Sequence, residues 1–324
     1  MKNINIFASI LLVLCLLTGC KSSQKTLSGF SMDAPYSIKI VNHGKSSLDE
    51  ASIKKYMSDC DYIFSAYSEN SLLYSLNSAK KIGIAGEYEG ELFDIITIGK
   101  EYSQKYSDIF DIAIRPVTKL WDFNEEKIPS DELIRENLKY IDENNIVISD
   151  NEISLINNAE IDLGAIAKGY VADKISEKMS DSELIIDVGG TIKSTVKRPI
   201  KVGIKSPDLN GLLCSIELDG EAVSTSGSYE RSFMSSGKIY HHILSPQTGF
   251  PAESGLSAVS VIGKSAALCD ILSTTFFILG IDKSLEIVEE NHVEAVFVMN
   301  DNKVYKTKGI RNLEMISNNY TFVE

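Results

Sequence analysis

Residues 162–190 read DLGAIAKGYVADKISEKMSDSELIIDVGG, and this stretch contains both kinds of element that the fold needs. Its apolar spacing predicts a helix over 164–179, which starts beside Gly164. The run over 183–188 predicts a buried strand that ends at Gly189-Gly190. Outward from this stretch, strands and helices are interspersed without strict alternation. The pattern favours a mixed α+β architecture over a doubly wound sheet.

The same analysis of apolar periodicity predicts the other elements of the chain. We expect a strand over 30–42, helices over 48–64, 90–106, 265–279 and 281–289, a hairpin over 144–156, several strands between 199 and 262, and a last hairpin over 294–307.

The first twenty residues predict where the chain is sent. The apolar run over 6–17 is shorter than the ~20 residues of a membrane-spanning helix, so residues 1–19 are expected to be a signal peptide. Leu17-Thr18-Gly19-Cys20 then resembles the lipobox of bacterial lipoproteins. That resemblance implies an extracytoplasmic protein anchored to the cell membrane by lipid on Cys20, with a tether over 20–28 and one domain over 29–324. An ordinary secretory signal is the alternative.

The charge of the chain argues against nucleic acid as a partner. The sequence has 45 acidic and 32 basic residues, a formal net charge of −13. Nucleic-acid binding depends on neutralising phosphates, which an acidic surface does poorly. An anionic ligand would need local help from a metal ion or from backbone amides. Beyond Cys15 and Cys20, the cysteines are Cys60, Cys214 and Cys269, whose spacing gives neither a disulfide framework nor a zinc site.

The best metal-site candidate lies in the predicted helix over 265–279. Asp270, Ser273 and Thr274 stand at positions i, i+3 and i+4, so they share one helix face. A carboxylate with two hydroxyls offers hard oxygen ligands, which suit Mg²⁺ or Ca²⁺. A solvated polar stripe or a helix cap explains the spacing equally well.

The glycines of the segment over 162–170 suggest a phosphate-binding backbone. Small residues at a helix start let a phosphate approach free amides, and the helix dipole favours its charge. The spacing matches neither a P-loop nor the dinucleotide fingerprint. Helix packing through small residues is nearly as good an explanation.

Two of the four histidines, His241 and His242, are adjacent. Neighbouring residues of a strand point to opposite faces, so at most one should enter a cleft. His242 precedes a predicted turn, where it could act as a general base near neutral pH. A hydrogen-bonded structural histidine is the alternative.

Eight blocks of the sequence, in this order, resemble the ApbE family, the FAD:protein FMN transferases, over about residues 28–320. The blocks are 31–36 (SMDAPY), 64–71 (FSAYSENS) with Leu76-Asn77, Phe110-Asp111 leading to Pro116 and 120–123 (LWDF), 162–173, 187–190 (DVGG), 224–229 (STSGSY), 241–244 (HHIL) and 270–274 (DILST).

The resemblance implies an ApbE-like, T-shaped flavin transferase fold and a set of site residues. The residues that match FAD contacts are Met32, Tyr67, Ile109, Phe110, Asp111, Asp162, Lys168 and Leu244. The residues that match the Mg²⁺ site are Ala165, through its backbone carbonyl, with Asp270, Ser273 and Thr274. His242 matches a histidine close to the FAD diphosphate.

The implied reaction cleaves the FAD diphosphate with Mg²⁺ and passes FMN to a threonine hydroxyl of an acceptor protein, releasing AMP. His242 or Asp270 would take the threonine proton, and the sequence does not choose between them. The acceptor would be an extracytoplasmic electron-transfer subunit with an FMN-binding domain. Two alternatives stay open: an FAD pyrophosphatase that gives FMN and AMP, and a lipid-anchored FAD-binding protein without chemistry.

Five positions depart from the family pattern. Asp33 and Pro35 stand in a stretch that is usually Met-Gly-Thr, and Arg115 replaces a common glycine. Ser245 replaces a frequent aspartate, and Ser273 replaces a metal-binding carboxylate found in some members. Asp270 is then the only carboxylate of the expected metal site, which implies weaker metal binding.

Overall fold

A computed structural model describes residues 25–44 and 49–323. The strands are β1 Lys25–Ser31, β2 Ala34–Asn42, β3 Lys81–Gly83, β4 Ile146–Ser149, β5 Glu152–Leu155, β6 Glu183–Val188, β7 Thr191–Ser194, β8 Ile200–Lys205, β9 Leu212–Leu218, β10 Ala222–Gly227, β11 Ser232–Ser235, β12 Lys238–His241, β13 Leu256–Gly263, β14 Glu294–Met299, β15 Lys303–Lys306, β16 Glu314–Met315 and β17 Thr321–Phe322. The α-helices are α1 Glu50–Phe64, α2 Leu72–Ala79, α3 Glu87–Lys105, α4 Arg115–Thr118, α5 Asp131–Leu138, α6 Ala167–Lys178, α7 Ala266–Leu279 and α8 Ile281–Glu290.

A nine-stranded sheet in the order β1-β2-β6-β7-β10-β13-β14-β15-β17 organises the molecule. Neighbouring strands of this sheet pair antiparallel, except that β15 and β17 pair parallel. Helices α6 and α7 pack on one face, over the main apolar core. The small sheet of β16, β9 and β8 contributes to a second core with Val223, Ala258 and Val298 of the large sheet. The mixed α+β architecture expected from the sequence is confirmed.

Alternation of side chains explains why the large sheet is buried on both faces. In β6, which has the predicted bounds, Leu184, Ile186 and Val188 enter the main core. Ile185, between them, packs against the second core. Successive residues of a strand point to opposite faces, so one short strand supplies both layers.

The strand predicted over 30–42 is wrong at its start. Two antiparallel strands, β1 and β2, turn at Met32 and Asp33, which both have positive φ, 53° and 56°. Such a two-residue turn usually contains Asn or Gly, so the sequence carries no hairpin signal. Asp61 of α1 holds the turn: its Oδ1 accepts the Met32 N–H at 2.6 Å and its Oδ2 accepts the Ser31 hydroxyl at 3.0 Å.

The N-terminal expectations fall largely on residues that the structure does not describe. Residues 1–19, Cys20 and the first part of the expected tether lie outside the described ranges. Residues 25–28, also assigned to the tether, belong to β1. Within residues 25–44 and 49–323, no helix is both long enough and apolar enough to cross a membrane.

Helices α6 and α7 make an unusually close contact at Gly169. A Cβ on Gly169 would overlap the backbone carbonyl of Ala266 and come within 2.7 Å of the Ala267 Cα. Asp173, one turn further along α6, accepts hydrogen bonds from the N–H groups of Ala266 and Ala267, both at 3.0 Å. Only glycine permits this separation, so Gly169 sets the position of α7.

We expect Gly169→Ala to destabilise the protein by about 1–3 kcal/mol, because the added methyl forces two helix backbones apart. The free energy of unfolding in denaturant measures this change. Gly90→Ala is the matched control, since Gly90 lies in α3 and a Cβ added there would meet no atom within 4 Å. That control should stabilise by about 0.5–1 kcal/mol. Equal stabilisation by both changes would contradict the close contact of the two helices.

Candidate active site

A cavity of about 440 Å³ lies where the β1–β2 turn, α1, α6, α7 and the loops after β10 and β12 meet. Its volume is within the range of small-molecule sites. The residues expected from the sequence that line it are Met32, Tyr67, Ile109, Phe110, Asp111, Asp162, Ala165, Lys168, His242, Leu244, Asp270 and Thr274. Ser273 is absent from the cavity wall.

Asp270 has both carboxylate oxygens fixed by donors from three elements. Its Oδ1 accepts the Ser224 hydroxyl at 2.8 Å and the Thr191 hydroxyl at 3.4 Å, and its Oδ2 accepts the Gly169 N–H at 3.1 Å. Gly169 lies in the first turn of α6, where backbone N–H groups have no intrahelical partner. The carboxylate is only 4% exposed, so its position at the cavity is rigid.

Three hydroxyls continue along α7 and the facing strand β10. Ser226 Oγ lies 3.2 Å from Thr274 Oγ1 and 2.8 Å from Ser273 Oγ. Thr274 and Ser226 line the cavity. Ser273 is fully buried, and its hydroxyl also donates to the Asp270 carbonyl at 3.0 Å. The hydroxyl of Ser273 therefore lies behind that of Thr274, with Asp270 and Thr274 facing the cavity.

The two glycines of the 162–170 segment have different roles. Gly164 is exposed in a loop, and its N–H donates to Asp162 Oδ1 at 3.0 Å. Lys168 bends back so that its Nζ donates to the Gly164 carbonyl at 3.3 Å. Gly169, as described above, serves helix packing. The loop before α6 and the first turn of that helix thus place Ala165 and Lys168 at the cavity.

Asn77 of α2 fixes the strand-like segment that leads into this loop. Its side-chain amide donates to the Ile161 carbonyl at 2.8 Å, and its Oδ1 accepts the Ile161 N–H at 2.7 Å. The position of Asp162 therefore depends on helix α2, which apolar periodicity did not predict.

The adjacent histidines separate as the sequence predicts. His241 packs edge-on against Phe277, and its Nε2 lies 3.2 Å from the Ala252 carbonyl. His242 lines the cavity, and its Nδ1 has no hydrogen-bond partner among the described residues. Burial, together with the positive charges of Lys168 and Arg231, lowers the pKa of His242 to about 3. Its imidazole is therefore neutral near pH 7.

Tyr67 and Asp162 share a common support in α4. The Arg115 guanidinium lies over the Tyr67 ring, 4.1 Å from its centroid. Asp162 Oδ2 accepts the Thr118 hydroxyl at 2.9 Å and lies 3.9 Å from Arg115 Nη1. Arg115, which stands where the family commonly has glycine, thus contacts two residues of the expected FAD site, Tyr67 and Asp162.

Sequence analysis missed four charged residues of the cavity, one of which is Asp61 of α1. Glu230 and Arg231 line the cavity directly after the block over 224–229, and Asp33 lines it from the β1–β2 turn. Arg231 and Asp33 form an exposed ion pair at 3.4 Å. In the sequence, the only indication of a role was that Arg231 follows the block over 224–229 and Asp33 lies in the block over 31–36. Arg231 matters because it adds a second cation beside Lys168.

A family model and curated proteins match this chain over most of its length. The ApbE family model matches residues 32–297. The chain is 33% identical over 218 residues to an FAD:protein FMN transferase of Klebsiella pneumoniae, covering 64% of this chain and 68% of that protein. It is 26% identical over 320 residues to one of Haemophilus influenzae, covering 90% and 92%.

Solved structures match over nearly the same length. The ApbE protein of Thermotoga maritima superposes with a TM-score of 0.76 at 26% identity, covering 90% of this chain and 96% of that one. The apo flavinyl transferase ApbE of Pseudomonas stutzeri gives 0.75 at 25% identity, covering 89% and 95%. The fold is that of these ApbE proteins. The chain belongs to the ApbE family.

Asp111 should make the stability of the protein depend on pH. Burial raises the pKa of its carboxyl to about 7; the Ala113 N–H opposes this shift, and Glu143 and Asp142 add to it. An unfolded aspartate titrates near pH 3.9, so between about pH 4 and 7 only the folded chain keeps this proton. The free energy of unfolding therefore falls as pH rises through that window.

Asp111→Asn should remove this contribution and flatten the decline of stability between pH 5 and pH 8. Denaturant unfolding at the two pH values measures the decline. Asp150→Asn, in the exposed turn between β4 and β5, should leave it as in the wild type. An unchanged decline in Asp111→Asn would show that this carboxyl is not the group responsible.

Proposed function

We propose that this protein is an FAD:protein FMN transferase that moves FMN to a threonine hydroxyl of an acceptor protein and releases AMP. Family membership and the names of the curated relatives support the activity. The observation that carries the proposal is the cavity itself. It brings a rigid carboxylate, two cationic side chains and a neutral histidine together beside an apolar wall.

Phosphoryl transfer depends mainly on positioning and charge neutralisation, and the polar end of the cavity suits both. Lys168 and Arg231 supply positive charge for the diphosphate, which an acidic protein would otherwise repel. Met32, Ile109, Phe110 and Leu244 provide apolar surface for the ring systems of FAD. The diphosphate and the ring systems of FAD therefore each have a chemically matched surface in the cavity.

The oxygen atoms around Asp270 fit a magnesium ion. We propose that the Asp270 carboxylate, the Thr274 hydroxyl and the Ala165 carbonyl hold it, since Mg²⁺ prefers hard oxygen ligands. The described residues contain no group of three or more His, Cys, Asp or Glu side chains suited to a metal. The proposed set accordingly combines one carboxylate with uncharged oxygens. Magnesium bound there would offset diphosphate charge.

His242 is the better of the two candidate bases. Both oxygens of Asp270 already accept hydrogen bonds, whereas the imidazole of His242 lines the cavity and is neutral. In the proposed step the threonine Oγ forms a bond to the FMN phosphorus as the bridging P–O bond breaks. The bonding electrons leave with AMP, and His242 takes the threonine proton. Burial is the main cause of the low His242 pKa, and Lys168 and Arg231 add to it; an anionic diphosphate beside these two cations would offset only their part.

The acceptor and the location are proposed from the sequence. The lipobox-like residues before Cys20 support a lipid anchor outside the cytoplasm. The acceptor would then be an extracytoplasmic electron-transfer subunit that carries an FMN-binding domain. Labelling with radioactive palmitate, compared between the wild type and Cys20→Ala in a bacterial host, tests the anchor.

Mass spectrometry of an acceptor FMN-binding domain, incubated with this protein, FAD and Mg²⁺, tests the activity. We expect a gain of one FMN on threonine, lost with EDTA or Asp270→Ala. His242→Gln should slow transfer about 10²–10⁴-fold, the usual contribution of a general base. Free FMN and AMP without an adduct would instead identify a pyrophosphatase, and intact FAD would identify a binding protein.

The positions of Thr274 and Ser273 predict unequal effects on magnesium binding. Thr274→Val keeps the side-chain shape but removes a hydroxyl that faces the cavity, so Mg²⁺ should bind about tenfold or more weakly. Ser273→Ala removes the buried hydroxyl and should change the Kd much less. Calorimetric titration of both variants measures the difference. A larger loss in Ser273→Ala would place the ligand on Ser273 instead.

A further inference from the structure

The short helix α4 places a buried cation directly behind an exposed aromatic ring. Arg115 is only 8% exposed, whereas Tyr67 is 58% exposed and lines the cavity. The guanidinium carbon lies 4.1 Å from the ring centroid, within the distance of a cation–π contact. Arg115 itself does not line the cavity, so it can affect a ligand only through its neighbours.

Arg115 makes its direct hydrogen bond to the main chain beside Tyr67, and its contact with Asp162 is longer. Its Nη2 donates to the Ala66 carbonyl at 3.1 Å, next to Tyr67 in the chain. Its Nη1 is buried without a hydrogen-bond partner among the described residues and stays 3.9 Å from Asp162 Oδ2. A charge-assisted Arg–carboxylate hydrogen bond would be about 2.7–2.9 Å. Asp162 is held instead by Thr118 and Gly164.

These contacts restrain both the backbone and the ring of Tyr67. The Ala66 bond ties the main chain, and the planar guanidinium covers one face of the ring. A tyrosine ring this exposed would otherwise sample several rotamers. Fixed in place, it presents a flat aromatic surface to the cavity, and such surfaces stack planar heteroaromatic groups.

We propose that Arg115 is a positioning residue that holds the Tyr67 ring as a stacking platform for a planar ring system of FAD. The proposal rests on the proposed function for the identity of this ligand. Arg115 acts on binding and not on the bond that breaks, since the reacting end of the cavity lies at Asp270 and His242. A lysine cannot replace it, because an ammonium has no plane to lie against the ring.

A double-mutant cycle tests whether Arg115 acts through Tyr67. The Kd for FAD is taken from the initial flavin fluorescence change with Mg²⁺ and without acceptor, for Arg115→Met, Tyr67→Ala and the double variant. We expect Arg115→Met and Arg115→Lys each to raise Kd about tenfold, equal to about 1.4 kcal/mol. The double variant should bind no more weakly than Tyr67→Ala alone.

Lys119→Met is the matched control, because Lys119 ends the same helix, pairs with Glu160 at 2.6 Å and does not line the cavity. It should leave Kd unchanged. In FMN transfer, the Arg115 variants should raise the KM for FAD while kcat stays within about twofold of the wild type, which marks loss of uniform binding.

Additive effects of Arg115→Met and Tyr67→Ala, or an unchanged Kd in Arg115→Lys, would overturn the proposal. Melting temperatures of all variants separate the proposed positioning role from a purely structural role of Arg115. A purely structural role would lower stability without coupling to Tyr67 in FAD binding. A wild type that binds FAD but transfers no FMN would defeat the proposed function alone. The double-mutant cycle would still decide the role of Arg115, because it measures FAD binding and not FMN transfer.

Discussion

The contact of α6 with α7 at Gly169 is the constraint on which the rest of the site depends. The missing side chain lets the two helix backbones touch, and the same residue donates its free N–H to Asp270. Asp173, also on α6, holds the first turn of α7. Because the carboxylate is fixed from both helices, its position does not rely on a bound ligand. Preorganisation of this kind reduces the cost of ordering the site during the reaction.

The remaining groups of the cavity are brought to Asp270 from separate parts of the chain. The β1–β2 turn, the loop before α6 and the segment after β12 carry no strong local preference for their conformations. Side chains from elsewhere hold the first two of these segments, Asp61 at Met32 and Asn77 at Ile161. Arg115 and Thr118 of α4 hold Tyr67 and Asp162 in the same way. Such loops on a rigid support are common at functional sites.

Much of the fold could be predicted because long elements carry strong periodicity. The α1, α3, α7 and α8 helices and strand β6 lie close to their predicted bounds. Short elements did not give enough periods, so α2 and α5 were missed, and the exposed edge strand β1 lacks apolar alternation. The site was recognised through motifs and not through spacing alone. Periodicity put Ser273 and Thr274 on one helix face, but only packing against Ser226 shows which of them reaches the cavity.

With a lipid anchor on Cys20, the start of β1 at Lys25 would limit how far the enzyme can reach. With lipid on Cys20 as proposed, a stretch of twelve residues joins the membrane anchor to Met32 at the cavity wall. At about 3.3–3.6 Å per residue, even a fully extended chain would span only about 40 Å. The protein would thus search a thin layer above the bilayer instead of a volume. An acceptor threonine would meet the cavity efficiently only when it lies within that layer. Anchoring would therefore select acceptors by the distance of their threonine from the membrane.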